Sequence, residues 1–171
     1  MWAPCYFAFQ SYGYSLHVVD GLSMQPTFNP TGEPVRDRVV VERWRVRALA
    51  LLGQVGRYSR GDVVLLRAPD RPGEYIIKRL VALEGDWLYV PGRVDVEKIP
   101  KGHCWVEGDN VALSADSRTR YGPVPLSLVE GRARVVFWPP WRSGRVAAGE
   151  PIGRLLVRNP RAISRARDDC S

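Results

Sequence analysis

An apolar run from Glu74 to Leu83 carries one lysine, Lys78, in its interior. Turn residues 84–86 close this run, and its length and boundaries predict a β-strand. Because side chains alternate between the two faces of a strand, Ile76 and Leu80 should flank Lys78 on its own face. Burial among aliphatic side chains lowers the pKa of an amine. The more common alternative for one lysine in a strand is an edge-strand side chain that extends into solvent.

Short β-branched runs between turn residues recur along the chain and predict a mostly β fold. The chain has 171 residues, enough for one domain with a core, and its 14 prolines and 16 glycines favour many turns. The predicted strands are residues 38–46, 62–67, 74–83, 87–90, 104–107 and 132–138, with short helical segments at 46–54 and 125–130.

A serine lies on a turn bounded by glycine and proline in segment 21–27, which reads Gly-Leu-Ser-Met-Gln-Pro-Thr. Such a serine is usually only a turn residue. Ser23 and Lys78 together nevertheless make the two halves of a Ser-Lys hydrolase, because a neutral amine within hydrogen-bond reach accepts a hydroxyl proton. The backbone amide of Ser23 is then a candidate oxyanion donor. Met24 fits either packing against the core or a hydrophobic substrate groove.

A third segment, 108–118, is a polar loop that follows a hydrophobic strand. One of its hydroxyl groups is suited to hold the lysine amine, as the third group of a triad orients its base. Asp116 and Arg118 are expected to form a supporting ion pair. Without the other two segments, this sequence would indicate only a loop rich in local hydrogen bonds.

Charge and cysteine content limit the function classes. The net charge of +7 predicts attraction to anionic surfaces without choosing between lipid and nucleic acid. The chain has three cysteines, Cys5, Cys104 and Cys170, which is an odd number, and their spacing is not that of a metal site. We expect free thiols, with a Cys5–Cys170 disulfide as the alternative, and neither a metal nor a cofactor.

The two ends of the chain differ in composition from the middle. Residues 1–19 are rich in aromatic side chains and contain only His17 as a titratable side chain other than Tyr and Cys, which is typical of a marginal membrane-associating or truncated anchor segment. An N-terminal strand is an equal alternative. Residues 142–171 form an arginine-rich tail that we expect to be peripheral, either on anionic lipid or simply solvated.

Four motifs in order resemble the type I signal peptidase family of Ser-Lys endopeptidases. They are Gly-x-Ser-Met-x-Pro-Thr at 21–27, Arg-Gly-Asp-x-Val at 60–64, Lys-Arg at 78–79 and the loop from Gly-Asp-Asn to Tyr-Gly-Pro-Val at 108–124. The resemblance implies an antiparallel β-sheet or barrel catalytic domain at 20–141, with a reduced β insertion at 85–108.

The resemblance also implies roles for individual residues. Ser23 matches the nucleophile, Lys78 the general base and Ser114 the serine that orients the lysine. Asp116 and Arg118 match the supporting charged pair. Gly21 stands where many bacterial members have a hydroxyl residue that contributes to the oxyanion hole, so the second donor is not assigned.

Further phrases at 78–86, 102–110 and 137–140 resemble the mitochondrial branch of this family. That likeness implies protein substrates with presequences, cut after small residues at the first and third positions before the bond. It also implies an anionic membrane surface and a paralogous peptidase subunit as partners, no nucleic acid, and a location at the intermembrane-space face of the mitochondrial inner membrane.

Two other functions compete with this interpretation. A self-cleaving repressor shares the Ser-Lys pair, but about twenty residues before the serine turn are too few for a helix-turn-helix domain. A non-catalytic β module, or a silent subunit that supports an active paralogue, remains an alternative.

Overall fold

The computed structural model describes residues 13–43, 58–90, 96–149 and 156–157. The described strands are β1 Tyr14–Val18, β2 Arg38–Glu42, β3 Val63–Arg67, β4 Tyr75–Leu83, β5 Trp87–Tyr89, β6 Val96–Lys98, β7 His103–Glu107, β8 Val124–Pro125, β9 Val129–Trp138, β10 Gly144–Arg145 and β11 Leu156–Val157. Short helical turns, one π and two 3-10, span Ser117–Tyr121, Leu126–Leu128 and Pro140–Arg142.

The strands form two antiparallel sheets. The main sheet has the order β1-β2-β9-β3-β4-β7-β8, with β10 paired to β9, and it curls into a half-barrel. A small sheet has the order β11-β5-β6. The predicted mostly β, antiparallel architecture is therefore confirmed.

The boundaries of β3, β4, β5 and β7 agree with the sequence prediction within one residue. Strand β2 ends at Glu42, and residues 44–46 of that predicted strand lie outside the described residues. Strand β9 begins at Val129, three residues early, because its first residues pair with β3. This leaves one 3-10 turn of the helical segment predicted at 125–130. Strands β6, β8, β10 and β11 were not predicted, since two or three residues give too short a pattern. The helix predicted at 46–54 lies outside the described residues.

Three clusters of buried side chains make up the core, and β4 contributes to all of them. Ile76 and Leu80 join one cluster, Ile77 packs against another, and Val81 and Ala82 belong to the third. Strand β4 is therefore buried on both of its faces, and Lys78 lies within the core.

The ends of the described chain pack on the sheet. Residues 14–18 form the edge strand β1, paired with β2, while residues 1–12 lie outside the described part. Arg142 bonds to the buried Asp37 carboxylate and Gly144–Arg145 pairs with β9. Residues 142–146 thus contact the sheet through Arg142 and β10, and the expectation of a peripheral tail stays a prediction. The boundaries of the three segments stay predictions.

Two remaining expectations concern the membrane and the cysteines. Among the described residues, no helix is both long enough and apolar enough to span a bilayer. Cys104 is a buried free thiol, and burial raises its pKa to about 12. Cys5 and Cys170 lie outside the described residues.

The residues that flank Ser23 provide a test of how this turn is anchored. Met24 is 2% exposed and Leu22 is 51% exposed. We expect Met24→Ala to lower the free energy of unfolding by about 2–5 kcal/mol, because it leaves a cavity in the core. Leu22→Ala should stay within about 0.5 kcal/mol of wild type. Urea denaturation of both variants measures this, and equal effects would contradict the packing described here.

Candidate active site

Ser23 lies in the loop between β1 and β2, on a turn with an apolar base. Met24 and Phe28 are buried in one core cluster, at 2% and 1% exposure. The amide of Phe28 donates to the carbonyl of Met24 at 3.0 Å, and that of Gln25 donates to Leu22 at 3.2 Å. Ser23 itself is half-buried. The turn therefore holds Ser23 at the boundary between the core and solvent.

Asn29 closes the same loop. Its φ of 47° is in the left-handed region, which asparagine tolerates better than most residues. Its side-chain amide donates to the Val19 carbonyl at 2.7 Å and its Oδ1 accepts from the Asp37 amide at 2.8 Å. Asp37 is also bound by Arg142, whose Nη2 donates to the Thr27 carbonyl at 3.2 Å. Both ends of the serine loop are thus tied to β2 and to the residues after β9.

The loop after β7 lies directly against the Ser23 turn. The amide of Asn110 donates to the Ser23 carbonyl at 3.0 Å. A Cβ placed on Gly108 would lie 2.3 Å from that carbonyl oxygen and 2.3 Å from Ser114 Oγ. Such contacts are far inside van der Waals distance, so only glycine fits at this position.

Lys78 is 4% exposed and its Nζ donates to Ser114 Oγ at 3.1 Å. Burial lowers the pKa of Lys78 to about 8, and the nearby Asp116 carboxylate opposes that shift. A buried amine without an ion pair becomes easier to deprotonate because the low-dielectric interior disfavours its charge. The sequence prediction of a desolvated lysine agrees with this geometry, and the edge-strand alternative does not.

Asp116 anchors the loop that carries Ser114. Its carboxylate is fully buried and accepts from the Gly108 amide at 2.9 Å and from Arg118 Nε at 3.0 Å. Burial alone would raise its pKa, but hydrogen bonds from Arg118, Ser114 and Gly108 bring the pKa below its usual value. Asp116 also caps the helical turn Ser117–Tyr121. The expected Asp116–Arg118 ion pair is present.

Ser23 and Lys78 line one cleft of about 340 Å³ between β1 and β4. No hydrogen bond joins their side chains, and Ser114 contacts Lys78 without lining the cleft. Catalytic hydrogen bonds are often long without substrate, so this separation is compatible with proton transfer. Other side chains along the cleft are Val18, Asp20, Leu22, Tyr75, Ile76 and Leu113.

Gly21 lies at the cleft and supplies no side-chain donor. Its φ is +88°, and a Cβ placed on it would meet nothing within 4 Å. The Ser23 amide and any contribution from Gly21 to an oxyanion hole stay predictions.

Sequence analysis missed the role of Arg79. This buried side chain binds Asp109 with two parallel bonds, from Nε and Nη2, both 2.7 Å long. Its Nη1 donates to the carbonyls of Gly61 at 2.8 Å and Ala147 at 3.1 Å. Its Nη2 also donates to Thr27 Oγ1 at 3.3 Å, and that hydroxyl donates to Asp109. All five donors of the guanidinium are therefore used.

The available signal for Arg79 was its place in the strand. An arginine in the middle of a run buried on both faces needs a carboxylate partner. Asp109, in the loop that also carries Ser114, was part of a motif quoted for resemblance, but its spacing from Arg79 did not identify the pair.

Comparison with known proteins agrees with this geometry. A family model described as signal peptidase, peptidase S26, matches residues 2–97 and 89–138. The chain belongs to this family. The resemblance of its motifs to signal peptidases is therefore confirmed.

Relatives in the mitochondrial branch are similar over most of their length. The zebrafish (Danio rerio) mitochondrial inner membrane protease subunit 2 is 40% identical over 153 residues, which are 88% of this chain and 79% of the relative. The mouse (Mus musculus) protein of the same name is 41% identical over 82% of this chain and 76% of its own. An Arabidopsis thaliana mitochondrial ATP-independent inner membrane protease subunit 1a is 41% identical over 71% and 69%.

The contact at Gly108 gives a test with a matched control. We expect Gly108→Ala to lower kcat/KM for a peptide substrate by about 10²-fold, because the added methyl group displaces the Ser23 turn from Lys78. Gly144→Ala should leave kcat/KM unchanged, since its Cβ would meet only one atom, at 4.0 Å. Steady-state cleavage with circular dichroism of both variants checks the effect. A folded Gly108→Ala protein with full activity would contradict it.

Proposed function

We propose that this chain is a membrane-associated serine endopeptidase that removes sorting presequences, with Ser23 as nucleophile and Lys78 as general base. Its family membership makes it a signal peptidase-type peptidase. One observation carries the finer proposal: a buried lysine with a lowered pKa lines the same cleft as a serine on a rigid turn. This is the requirement for activating a serine without histidine.

Ser114 orients the amine in this mechanism. Its oxygen accepts an N–H from Lys78 at 3.1 Å, and its hydroxyl helps to lower the pKa of the Asp116 carboxyl. Holding one N–H in this way leaves the lone pair of the neutral amine for the Ser23 hydroxyl. Asp116 and Arg118 support Ser114 and do not exchange protons with substrate.

The chemical steps follow from a neutral Lys78. Lys78 takes the proton of Ser23 as Oγ bonds to the substrate carbonyl carbon, and the Ser23 amide stabilises the oxyanion. The C–N bond then breaks and Lys78 returns the proton to the leaving amine. Lys78, neutral again, then takes a proton from water as the water oxygen attacks the acyl carbon. The ester bond breaks, and Lys78 returns that proton to Ser23 Oγ. The residues of the chain suffice for these steps.

The substrate is proposed to bind as an extended strand in the cleft. Strand β1 pairs with β2 and has no other strand partner among the described elements, so its second edge is open to main-chain hydrogen bonds. Small residues at the first and third positions before the cut fit a cleft of about 340 Å³.

The names of the relatives support a location and partners. Several are subunits of a mitochondrial inner membrane protease. We propose the same membrane for this chain, with its catalytic face toward the intermembrane space, attracted to anionic lipid and working beside a paralogous subunit. The net charge of +7 agrees with such a surface.

Cleavage of a small-x-small presequence peptide in detergent or liposomes tests the Ser-Lys mechanism. Ser23→Ala, Lys78→Ala and Lys78→Arg should each lose at least about 10²-fold in kcat/KM. Lys101→Ala is the matched control, because Lys101 is exposed in the turn before β7. Full activity of both Lys78 variants would make this lysine structural. A wild type that is inactive even with its paralogue would favour the silent-subunit alternative.

The pH dependence should report the protonation of Lys78. The protonated amine is not a base, so kcat/KM should rise with pH and level off above an apparent pKa of about 8. Below that pH, kcat/KM should fall about tenfold per unit. A pH–rate profile with a protein-stability control at each pH measures this. A flat profile from pH 6 to 9 would argue against Lys78 as the base.

A further inference from the structure

A second cavity, of about 760 Å³, is lined by residues of β2, β3, β9 and β10 and by residues just after β10. Its charged lining consists of three arginines, Arg132, Arg134 and Arg145, and one carboxylate, Asp62. Ser23 and Lys78 do not line it. The proposed peptidase reaction therefore gives this cavity no role.

The arginines keep free donors toward the cavity. Arg132 binds Asp62 through Nη1 alone, at 2.8 and 2.9 Å, and Arg134 binds Glu42 through Nε. Arg145 pairs with β9 through its backbone, and within the described part of the chain its side chain makes no hydrogen bond or ion pair. Because arginine is always protonated, the three arginines outnumber the lining carboxylate Asp62 together with Glu42, which binds Arg134 from outside the lining.

Apolar side chains continue from the cavity to the edge of the sheet. Leu16, Val40, Val135 and Arg145 are cross-strand neighbours in one row of β1, β2, β9 and β10. Residues in register point to the same face, so Leu16 lies on the face that carries the arginines. Leu16 is 47% exposed.

We propose that this cavity binds a phosphate ester group, with Arg145, Arg134 and Arg132 as donors. A phosphate offers oxygens to several guanidinium groups at once, whereas one carboxylate is saturated by a single bidentate arginine. Val40 and Val135 form the apolar wall of the site. The row that leads to Leu16 suits the chain of a lipid, and the same phosphate chemistry is offered by a soluble phosphate ester.

Two measurements on the full chain in detergent separate the lipid from the soluble source. The first is partition into vesicles of phosphatidylglycerol and phosphatidylcholine, compared with phosphatidylcholine alone. The second is the thermal unfolding midpoint in inorganic phosphate, compared with chloride at equal ionic strength. Arg145→Gln is the test variant, and Lys101→Gln removes the same unit of charge from an exposed site outside the cavity.

Arg145→Gln should weaken binding to anionic vesicles by about fivefold, the contribution of one basic side chain at an anionic surface. Lys101→Gln should change it by less than about twofold, since general attraction is weak beyond a Debye length. Phosphate should raise the unfolding midpoint of wild type and Lys101→Gln by more than that of Arg145→Gln, which keeps only the general stabilisation by a kosmotropic anion.

Each outcome decides the proposal. If vesicle binding depends on Arg145, the ligand is a lipid headgroup, and Leu16→Ser should weaken that binding as well. If only the stabilisation by phosphate depends on Arg145, the ligand is a soluble phosphate ester. Equal effects of Arg145→Gln and Lys101→Gln in both measurements would overturn the site and leave only general charge attraction. Arg145-dependent binding of poly-glutamate without any response to phosphate or vesicles would overturn it in favour of an acidic protein segment.

Discussion

Two adjacent basic residues on β4, Lys78 and Arg79, are both buried, but among the described residues only Arg79 has a carboxylate partner. Arg79 has a carboxylate partner and a hydrogen-bond acceptor for every donor, so its permanent charge is compensated. Lys78, on the other face of the strand, has a neutral hydroxyl as its acceptor. Its charge is not compensated in the same way, and its pKa falls to about 8. The buried arginine therefore stays charged in an ion pair, whereas the buried lysine loses its proton more easily.

Arg79 also determines where the other parts of the site lie. Removing one partner of a buried ion pair costs several kcal/mol, about 3–5, so the segments that it joins are held firmly together. These segments are the serine loop at Thr27, the turn at Gly61, the polar loop at Asp109 and the residues after β10 at Ala147. The approach of Ser23 to Lys78 therefore depends on a residue that contributes no atom to the proposed reaction.

Local patterns predicted the strands and the two central residues, and long-range pairing explains what they missed. The alternation along β4 was enough to expect a buried Lys78, and the glycine- and proline-bounded turn was enough to single out Ser23. By contrast, Arg79 and Asp109 are thirty residues apart, and their pairing follows from the register of β4 and β7. The packing of Arg142 on Asp37 likewise depends on a contact across 105 residues, which the arginine-rich composition of the tail conceals.

Asp116 links the folding of the polar loop to the protonation of Lys78, because it anchors the loop that carries Ser114. The same carboxylate caps the turn at Ser117–Tyr121 and accepts the Gly108 amide, in the loop whose Ser114 accepts from Lys78. In an unfolded or half-folded chain, Lys78 is solvated and keeps its ordinary pKa near 10.4. Under the proposed mechanism such a chain is inert at neutral pH. Formation of the core is then what gives Lys78 the lowered pKa that the proposed mechanism requires.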